Sequence, residues 1–293
     1  MIARIKHVLS MVKFGHSIFA LPFALQAAWL AAGGMPQLNT LALILVAAVA
    51  ARTAAMAFNR YADRDIDGGN PRTAGREIPR GVLSANFVLL VVVLASAIFV
   101  GAAWALNPLS GKLALPVLAV LLGYSLVKRF SFLAHMVLGL ALALAPLAAW
   151  IAIRGSLQDL WNPVGWLALA VWSWVAGFDV IYSCQDAGYD REHGLHSIPA
   201  RFGVSKALVI SRCLHVGTVV CLVLFTRGAH LQWIYAVAVA VSACLLAWEQ
   251  SLVKADDLSR VNLAFFTING WIGVLLLVGL VLDMGFVGGG GGI

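Results

Sequence analysis

The chain has 293 residues, of which 61% are hydrophobic and only 11% are charged, and its mean hydropathy is +0.91. These values exclude an ordinary soluble domain and predict a protein embedded in a lipid bilayer. The net charge of +7 does not indicate nucleic-acid binding, because the basic residues are scattered between apolar stretches instead of forming one patch. We attribute the charge to membrane topology and to phosphate binding.

Nine apolar segments approach the length that spans a bilayer. They cover residues 16–34, 38–60, 84–105, 113–127, 132–153, 163–185, 205–226, 231–252 and 262–283. The fourth is the shortest, and Pro22 interrupts the first. Since the first segment lacks a clear cleavage site, we expect a retained helix and not a signal peptide. The sequence predicts an all-α polytopic membrane protein with nine transmembrane helices in a single domain over residues 1–293.

The polar stretches between these segments alternate between basic and nearly uncharged. Fifteen of the twenty lysines and arginines fall on one side of the predicted membrane and three on the other, and Arg52 and Arg212 lie within spans. By the positive-inside rule, the N-terminus and the long acidic loops are cytoplasmic. With nine spans the C-terminus, which includes the glycine run 288–292, lies outside.

The first long loop begins with three oxygen-bearing side chains, Asn59, Asp63 and Asp67, at spacings of four residues. In a continuous helix they would share one face over about 12 Å. Clustered carboxylates favour a hard divalent cation such as Mg²⁺, which commonly bridges carboxylates to phosphates. Three arginines follow in a segment rich in glycine and proline and suit phosphate oxygens: Arg72, Arg76 and Arg80. The alternative is a charged loop that only sets topology.

A second acidic loop follows the sixth segment. Asp186 and Asp190 are again four residues apart, and Asp179 and Tyr182 precede them by one to two helical turns. Asp179 lies at apolar depth, where an unpaired carboxylate is costly and usually functional. The alternative for Asp179 is a structural hydrogen bond to a neighbouring helix.

The two acidic loops resemble each other. Each D-x-x-x-D is followed by an Ile-Pro pair, at Ile78-Pro79 and at Ile198-Pro199, and then by arginine, glycine and valine. The loops are four spans apart, so both copies enter the membrane in the same direction. This predicts two parallel four-helix pseudo-repeats, over residues 14–130 and 131–255, with a ninth helix near 260–284 and a site at the repeat interface.

Two facing carboxylate clusters on one side of a membrane favour a metal–diphosphate site. The chemistry that fits is ionisation of an allylic diphosphate, in which preorganised cations stabilise the charge that develops on the leaving group. The apolar chain and its carbocation require a dry cavity inside a helix bundle.

At these residues the sequence resembles the UbiA-type family of intramembrane aromatic prenyltransferases. The family pattern N-D-x-x-D-x-x-x-D corresponds to Asn59–Asp67, with Arg60 at the position of the optional aspartate. The pattern D-x-x-x-D corresponds to Asp186–Asp190, with the associated tyrosine at Tyr182. Residues 124–129, YSLVKR, resemble the family's Y-x-x-x-K-R at the end of helix four.

The resemblance implies Mg²⁺-dependent transfer of a polyprenyl group from its diphosphate to a ring carbon of an aromatic acid, in quinone biosynthesis. It also implies a central cavity, one Mg²⁺ on Asn59, Asp63 and Asp67, and a second Mg²⁺ on Asp186 and Asp190. The expected diphosphate contacts are Arg72, Arg76 and Lys128, and Tyr182 is expected to orient the site.

Arg52 lies two turns before Asn59 on nearly the same helix face, and a guanidinium at that depth needs a polar or anionic partner. We hypothesise that Arg52 or Arg129 binds the acceptor's carboxylate, with Asp179 as the competing partner of Arg52. The expected acceptor is 4-hydroxybenzoate; the alternative is a dihydroxynaphthoate in menaquinone biosynthesis. The expected location is a prokaryotic cytoplasmic membrane, in contact with its lipids. A cation-coupled transporter with the aspartates as ion ligands is the contrasting class.

Overall fold

The structure is a computed structural model that describes residues 7–8, 10–11 and 19–287. Its long helices are α1 (Leu21–Ala32), α2 (Leu38–Ala62), α4 (Ala85–Leu106), α5 (Pro108–Val127), α6 (Ala134–Arg154), α7 (Trp166–Ser183), α10 (Val204–Gly228), α11 (Trp233–Leu252) and α12 (Asn269–Leu282). Short helices α3 (Arg64–Gly69), α8 (Ala187–Glu192) and α9 (Ile198–Phe202) lie between them. Arg4, Lys6, Lys13 and the glycine run 288–292 lie outside the described residues.

The all-helical membrane fold is confirmed. Within the described part of the chain, eight helical segments are long and apolar enough to cross a membrane, and α1 is a further apolar helix of 12 residues. Pro22 does not break α1, because it stands in the first turn, where a missing N–H costs no hydrogen bond. The division into two pseudo-repeats stays a prediction.

The fourth predicted segment is longer in the structure than in the sequence analysis. Helix α5 begins at Pro108, where the side chain of Asn107 accepts a hydrogen bond from the Ser110 amide at 2.8 Å. The predicted segment begins only at residue 113, directly after Lys112. Lys112 is exposed in the first turns of the helix, where a long side chain reaches toward the membrane surface.

Helix α7 is the centre of the bundle. About 78% of the residues along its apolar stretch are buried inside the protein, against 22% to 44% in the other membrane-length helices of the described chain. Small residues allow close approach: a Cβ on Gly139 of α6 would lie 2.5 Å from the Trp172 carbonyl oxygen of α7. Helix α7 therefore holds Asp179 and Tyr182 at a fixed position between α6 and α10.

Both acidic segments interrupt their helices. Helix α2 ends at Ala62, and Asp63 (φ −92°, ψ 1°) separates it from α3. Helix α7 ends at Ser183, and a 3₁₀ turn over Cys184–Asp186 separates it from α8. The break at Asp63 is mild, because the Asp63 amide still donates to the Asn59 carbonyl at 2.9 Å and the Asp67 amide to the Asp63 carbonyl at 2.7 Å. Asn59, Asp63 and Asp67 therefore keep a helical spacing across the break.

Asp283, beyond the end of α12, caps the start of α11. Its carboxylate accepts hydrogen bonds from the amides of Gln232 (2.7 Å), Ile234 (3.1 Å) and Tyr235 (3.1 Å), and the residue is 2% exposed. Helix α11 has no cap from its own N-terminal side chain. Asp283 thus joins the last two long helices.

We expect Asp283→Ala to lower the unfolding free energy by about 2 kcal/mol, because three amides at the start of α11 lose their acceptor. Thermal denaturation in detergent measures the effect. Asp256→Ala, at an exposed position, is the matched control and should leave the melting temperature unchanged. Equal melting temperatures for both variants would contradict the capping role.

Candidate functional site

A polar cavity of about 280 Å³ lies at the end of the bundle where α2 and α5 end and α6 begins. Twelve residues were assigned a metal, substrate or catalytic role from the sequence, and eleven of them line it: Arg52, Asn59, Asp63, Asp67, Arg72, Arg76, Lys128, Asp179, Tyr182, Asp186 and Asp190. The two acidic segments, more than a hundred residues apart, therefore face one cavity. Arg80, the third arginine of the basic segment, is exposed and does not line the cavity.

Asp63 is the most buried carboxylate of the cavity, with 2% of its side chain exposed. Its Oδ2 accepts hydrogen bonds from Lys128 Nζ at 2.6 Å and from Asn59 Nδ2 at 3.0 Å. Burial raises the pKa of the Asp63 carboxyl above its ordinary value, although the charge of Lys128 opposes the shift. A nearby cation strongly stabilises the ionised form of a carboxylate that is buried in this way.

Asp67 pairs with the basic segment that follows it in the chain. Arg76 Nη1 lies 2.6 Å and 2.7 Å from the two oxygens of Asp67, whose side chain is 4% exposed. The Thr73 hydroxyl donates to the Asp67 carbonyl at 3.1 Å, which folds the intervening turns back onto α3.

Asp186, which lies in the other half of the chain, pairs with the same basic segment that follows Asp67. Arg72 donates to it through Nε at 2.8 Å and through Nη2, and Asn70 Nδ2 donates at 3.0 Å. Arg72 Nη1 also donates to the Tyr182 hydroxyl at 3.0 Å. Burial by itself would lower the pKa of Arg72, but its hydrogen bonds and ion pair with Asp186 outweigh burial and raise the pKa.

The two acidic segments also touch directly. The Tyr189 hydroxyl donates to the Ile66 carbonyl at 3.0 Å, across the cavity mouth. A Cβ on Gly69 would lie 2.7 Å from that hydroxyl, so a larger residue at this position would displace the Tyr189 side chain. The contact fixes α3 against α8.

Two arginines occupy positions that the sequence analysis did not predict. Arg129 lies outside the polar cavity. Its Nη2 donates to the Ala62 carbonyl at the end of α2 and lies 3.9 Å from Asp63 Oδ1. Arg60 is buried in the polar cavity, and its Nη1 donates to the Asn59 amide oxygen at 3.4 Å. Arg60 therefore orients the amide nitrogen of Asn59 toward Asp63.

An apolar cavity of about 370 Å³ adjoins the polar one. It is lined by α1, α2, α4, α5 and α6 and extends along α5 from Tyr124 to Ser110, a distance of about 21 Å. Arg52 and Tyr124 belong to the walls of both cavities. The Arg52 Nε atom is buried and has no hydrogen-bond partner within the described ranges. The Arg52 guanidinium, at the junction of the two cavities, therefore has an unpaired hydrogen-bond donor among the described residues.

Asp179 is bound to histidine and not to Arg52. His135 Nδ1 lies 2.7 Å from Asp179 Oδ2, and both residues line the polar cavity. The proposed competition between Asp179 and an acceptor for Arg52 is not realised in this arrangement.

Sequence reasoning missed several residues of the cavity. Asn70 precedes a proline, and an Asn-Pro pair marks a turn, so its place beside the arginines could have drawn attention. His135 and Tyr189 carry no local signal, because their partners are remote in sequence.

The donor set fits Mg²⁺, because the acidic side chains of the polar cavity offer hard oxygen ligands and two of them, Asp63 and Asp67, are almost fully buried. Over residues 19–287, no three His, Cys, Asp or Glu side chains form a preassembled metal cluster. Lysine or arginine instead neutralises Asp63, Asp67 and Asp186. Metal binding therefore requires these basic groups to exchange partners.

The sequence model described as the UbiA prenyltransferase family matches residues 20–272. The chain belongs to this family. UbiA prenyltransferases are enzymes, and the transporter interpretation is accordingly wrong. A 4-hydroxybenzoate octaprenyltransferase from Aeromonas hydrophila subsp. hydrophila is 30% identical over 260 residues, which are 88% of this chain and 88% of that protein. The enzyme of the same name from Tolumonas auensis is 31% identical over 259 residues, with 88% of each chain covered.

Solved structures of UbiA homologues share the fold. The apo homologue from Aeropyrum pernix K1 is 35% identical and superposes with a TM-score of 0.84, covering 92% of this chain and 98% of that one. A homologue from Archaeoglobus fulgidus bound to DMAPP and Mg²⁺ is 18% identical, with a TM-score of 0.73 and coverage of 95% and 99%. The second likeness concerns the fold alone.

Proposed function

We propose that this UbiA prenyltransferase transfers a polyprenyl group from its diphosphate to a ring carbon of 4-hydroxybenzoate, in ubiquinone biosynthesis. The observation that carries the proposal is the junction of a carboxylate- and arginine-lined cavity with a long apolar one. The 4-hydroxybenzoate octaprenyltransferases at about 30% identity support the acceptor.

In this proposal two groups of side chains would hold Mg²⁺: Asn59, Asp63 and Asp67 from the first acidic segment, and Asp186 and Asp190 from the second. When bound, Mg²⁺ neutralises the negative charge that develops on the leaving diphosphate. Arg72, Arg76 and Lys128 turn from their carboxylate partners to phosphate oxygens, which guanidinium groups bind through two parallel hydrogen bonds and an ammonium group binds as a compact charge. Tyr182 orients Arg72. Arg52 binds the acceptor's carboxylate, and Arg129 supports Asp63 from outside the cavity.

The apolar cavity receives the prenyl chain and excludes water from the carbocation. We further propose a prokaryotic cytoplasmic membrane in which the polar cavity and N-terminus face the cytoplasm, in accord with the predicted charge asymmetry. Membrane lipids surround the exposed helix faces.

The test uses purified protein in detergent with Mg²⁺, geranyl or farnesyl diphosphate, and a panel of hydroxybenzoate and dihydroxynaphthoate acids, with products detected by mass. We expect prenylated 4-hydroxybenzoate, and its loss in Asp63→Ala and Asp190→Ala. Product from a naphthoate alone would transfer the assignment to menaquinone biosynthesis. Release of diphosphate without any prenylated acid would support the assignment of the ionising site and reject 4-hydroxybenzoate as the acceptor.

We expect Ala114→Phe to impair long prenyl donors selectively. Ala114 is 2% exposed, lies on α5 in the apolar cavity wall, and is about 15 Å from Tyr124 along the helix. A phenyl ring there shortens the space, so kcat/KM for octaprenyl diphosphate should fall about tenfold or more while geranyl diphosphate reacts normally. Ala114→Ser is the control of similar size. An equal loss with both donors would indicate damaged packing and not a shortened cavity.

A further inference from the structure

Asp179 and His135 form an ion-pair geometry in the polar cavity that the assignments above leave without a role. The two side chains come from α7 and from the first turn of α6, and the His135 Nδ1–Asp179 Oδ2 distance is 2.7 Å. The Asp179 side chain is 22% exposed and that of His135 is 6% exposed. The carboxylate is therefore accessible from the cavity, and the imidazole supports it from behind.

The hydrogen bonds of His135 indicate which nitrogen carries the proton. The Ile198 backbone N–H donates to His135 Nε2 at 3.4 Å, so Nε2 is an acceptor. Nδ1 then carries the hydrogen and donates to Asp179, as in other carboxylate–imidazole pairs. Because His135 occupies Oδ2, the second oxygen, Oδ1, remains to accept a proton.

Asp179 differs from three other carboxylates of the cavity in its partner. Asp63, Asp67 and Asp186 bind the basic side chains of Lys128, Arg76 and Arg72, respectively. Within residues 19–287, Asp179 pairs with an imidazole and with no lysine or arginine. Its Oδ1 can therefore meet a substrate without the breaking of an ion pair to a lysine or arginine.

Prenylation of an aromatic ring carbon needs a proton acceptor. The C1–O bond of the prenyl diphosphate breaks with its electron pair on the diphosphate, and C1 bonds to the ring carbon. That carbon then loses its hydrogen as a proton, and the C–H electron pair restores the aromatic ring. The acceptor of this proton must lie in the cavity within hydrogen-bond reach of the ring.

Resting on the proposed function, we propose that Asp179 Oδ1 accepts the ring proton and that His135 is a positioning residue for Asp179. The proton returns to water through the polar mouth of the cavity after the product leaves. Arg52 and Asp179 both line the polar cavity, and Arg52 also lines the apolar one. An aromatic acid whose carboxylate binds Arg52 therefore places its ring near the junction of the two cavities.

The test compares 4-hydroxybenzoate with the same acid deuterated at the ring positions beside the hydroxyl. In the native enzyme we expect an isotope effect on kcat near unity, because proton loss follows the slow ionisation. In Asp179→Asn, kcat should fall on the order of 10²- to 10⁴-fold and the isotope effect should rise well above unity, because proton loss becomes slow. Mg²⁺-dependent binding of prenyl diphosphate and the melting temperature should stay unchanged.

His135 variants separate positioning from folding. His135→Gln keeps a side-chain N–H donor and should retain most of the activity, whereas His135→Leu should reproduce the isotope effect of Asp179→Asn. Glu192→Gln, an exposed carboxylate two residues after Asp190, is the matched control and should behave as the native protein.

Two outcomes would overturn the proposal while leaving the proposed function intact. A native rate in Asp179→Asn would show that another group, such as the departing diphosphate, takes the proton. A slow Asp179→Asn enzyme with an isotope effect near unity would assign Asp179 to binding. Failure of the proposed function gives a different result, because the native enzyme would then form no prenylated 4-hydroxybenzoate. That result would also reject the role of Asp179 as proton acceptor.

Discussion

Asp63→Asn and Asp186→Asn are each expected to slow prenyl transfer on the order of 10²- to 10³-fold, which is the usual effect of removing one preorganised charge-stabilising group. Asparagine keeps the size of the side chain but removes the negative charge that attracts Mg²⁺. The Mg²⁺ concentration for half-maximal rate should rise in both variants. Rates of product formation and of diphosphate release, measured across a Mg²⁺ titration, give both quantities.

The chain offers a matched control for this experiment in the same acidic segment. Asp65 lies between Asp63 and Asp67, but its side chain is 84% exposed and it pairs only loosely with Arg64 at 3.8 Å. Asp65→Asn should therefore keep the native rate and Mg²⁺ dependence. Lys128→Gln should raise KM for the prenyl diphosphate and lower the Mg²⁺ concentration for half-maximal rate, because Asp63 then loses the cation with which Mg²⁺ competes. Native Mg²⁺ dependence in Asp63→Asn would reject its role as a ligand.

Arg52→Ala is expected to raise KM for the aromatic acid on the order of 10- to 100-fold, with little change in KM for the prenyl diphosphate. The estimate follows from about 1.5–3 kcal/mol for a charged hydrogen bond, with each 1.4 kcal/mol worth a factor of about ten. The structural reason is the buried Nε of Arg52, which faces the cavity junction without a partner among residues 19–287. Steady-state kinetics with each substrate varied in turn measure both constants.

Two controls sharpen the Arg52 test. Arg212→Ala removes another arginine inside a predicted span, but Arg212 is exposed on α10 and lines neither cavity, so its kinetics should be native. Phenol lacks the carboxylate, so Arg52→Ala and the native enzyme should use it equally poorly. An equal rise in both KM values for Arg52→Ala would reject the acceptor-carboxylate role.

Most of the site was predictable because charge in a membrane protein is costly and therefore sparse. In a chain that is 11% charged, two D-x-x-x-D segments and the basic residues near them stand out. Eleven of the twelve residues that were assigned a role line one cavity for this reason. The exception, Arg129, is adjacent to Lys128 in sequence, but on leaving α5 the two side chains diverge, one into the cavity and one to the end of α2.

Partner choice was not predictable from spacing. Arg72 follows Asp67 by five residues yet binds Asp186, whereas Arg76 binds Asp67. The turn around Asn70, Thr73 and Ala74 decides which arginine crosses to the second acidic segment. Likewise, no pattern joins His135 to Asp179, because the pair forms between two helices whose facing sides are set by packing.

The sequence by itself determined the membrane class, the helical segments and the residue types of the site. The hydropathy and charge of a segment are local properties, and they do not depend on which segments pack against it. Only the tertiary structure decided the break at Asp63, the pairing of each carboxylate with its cation, and the junction of the two cavities at Arg52. Those features depend on which helix faces lie together. Packing of side chains distant in sequence sets that arrangement, and a linear pattern does not record it.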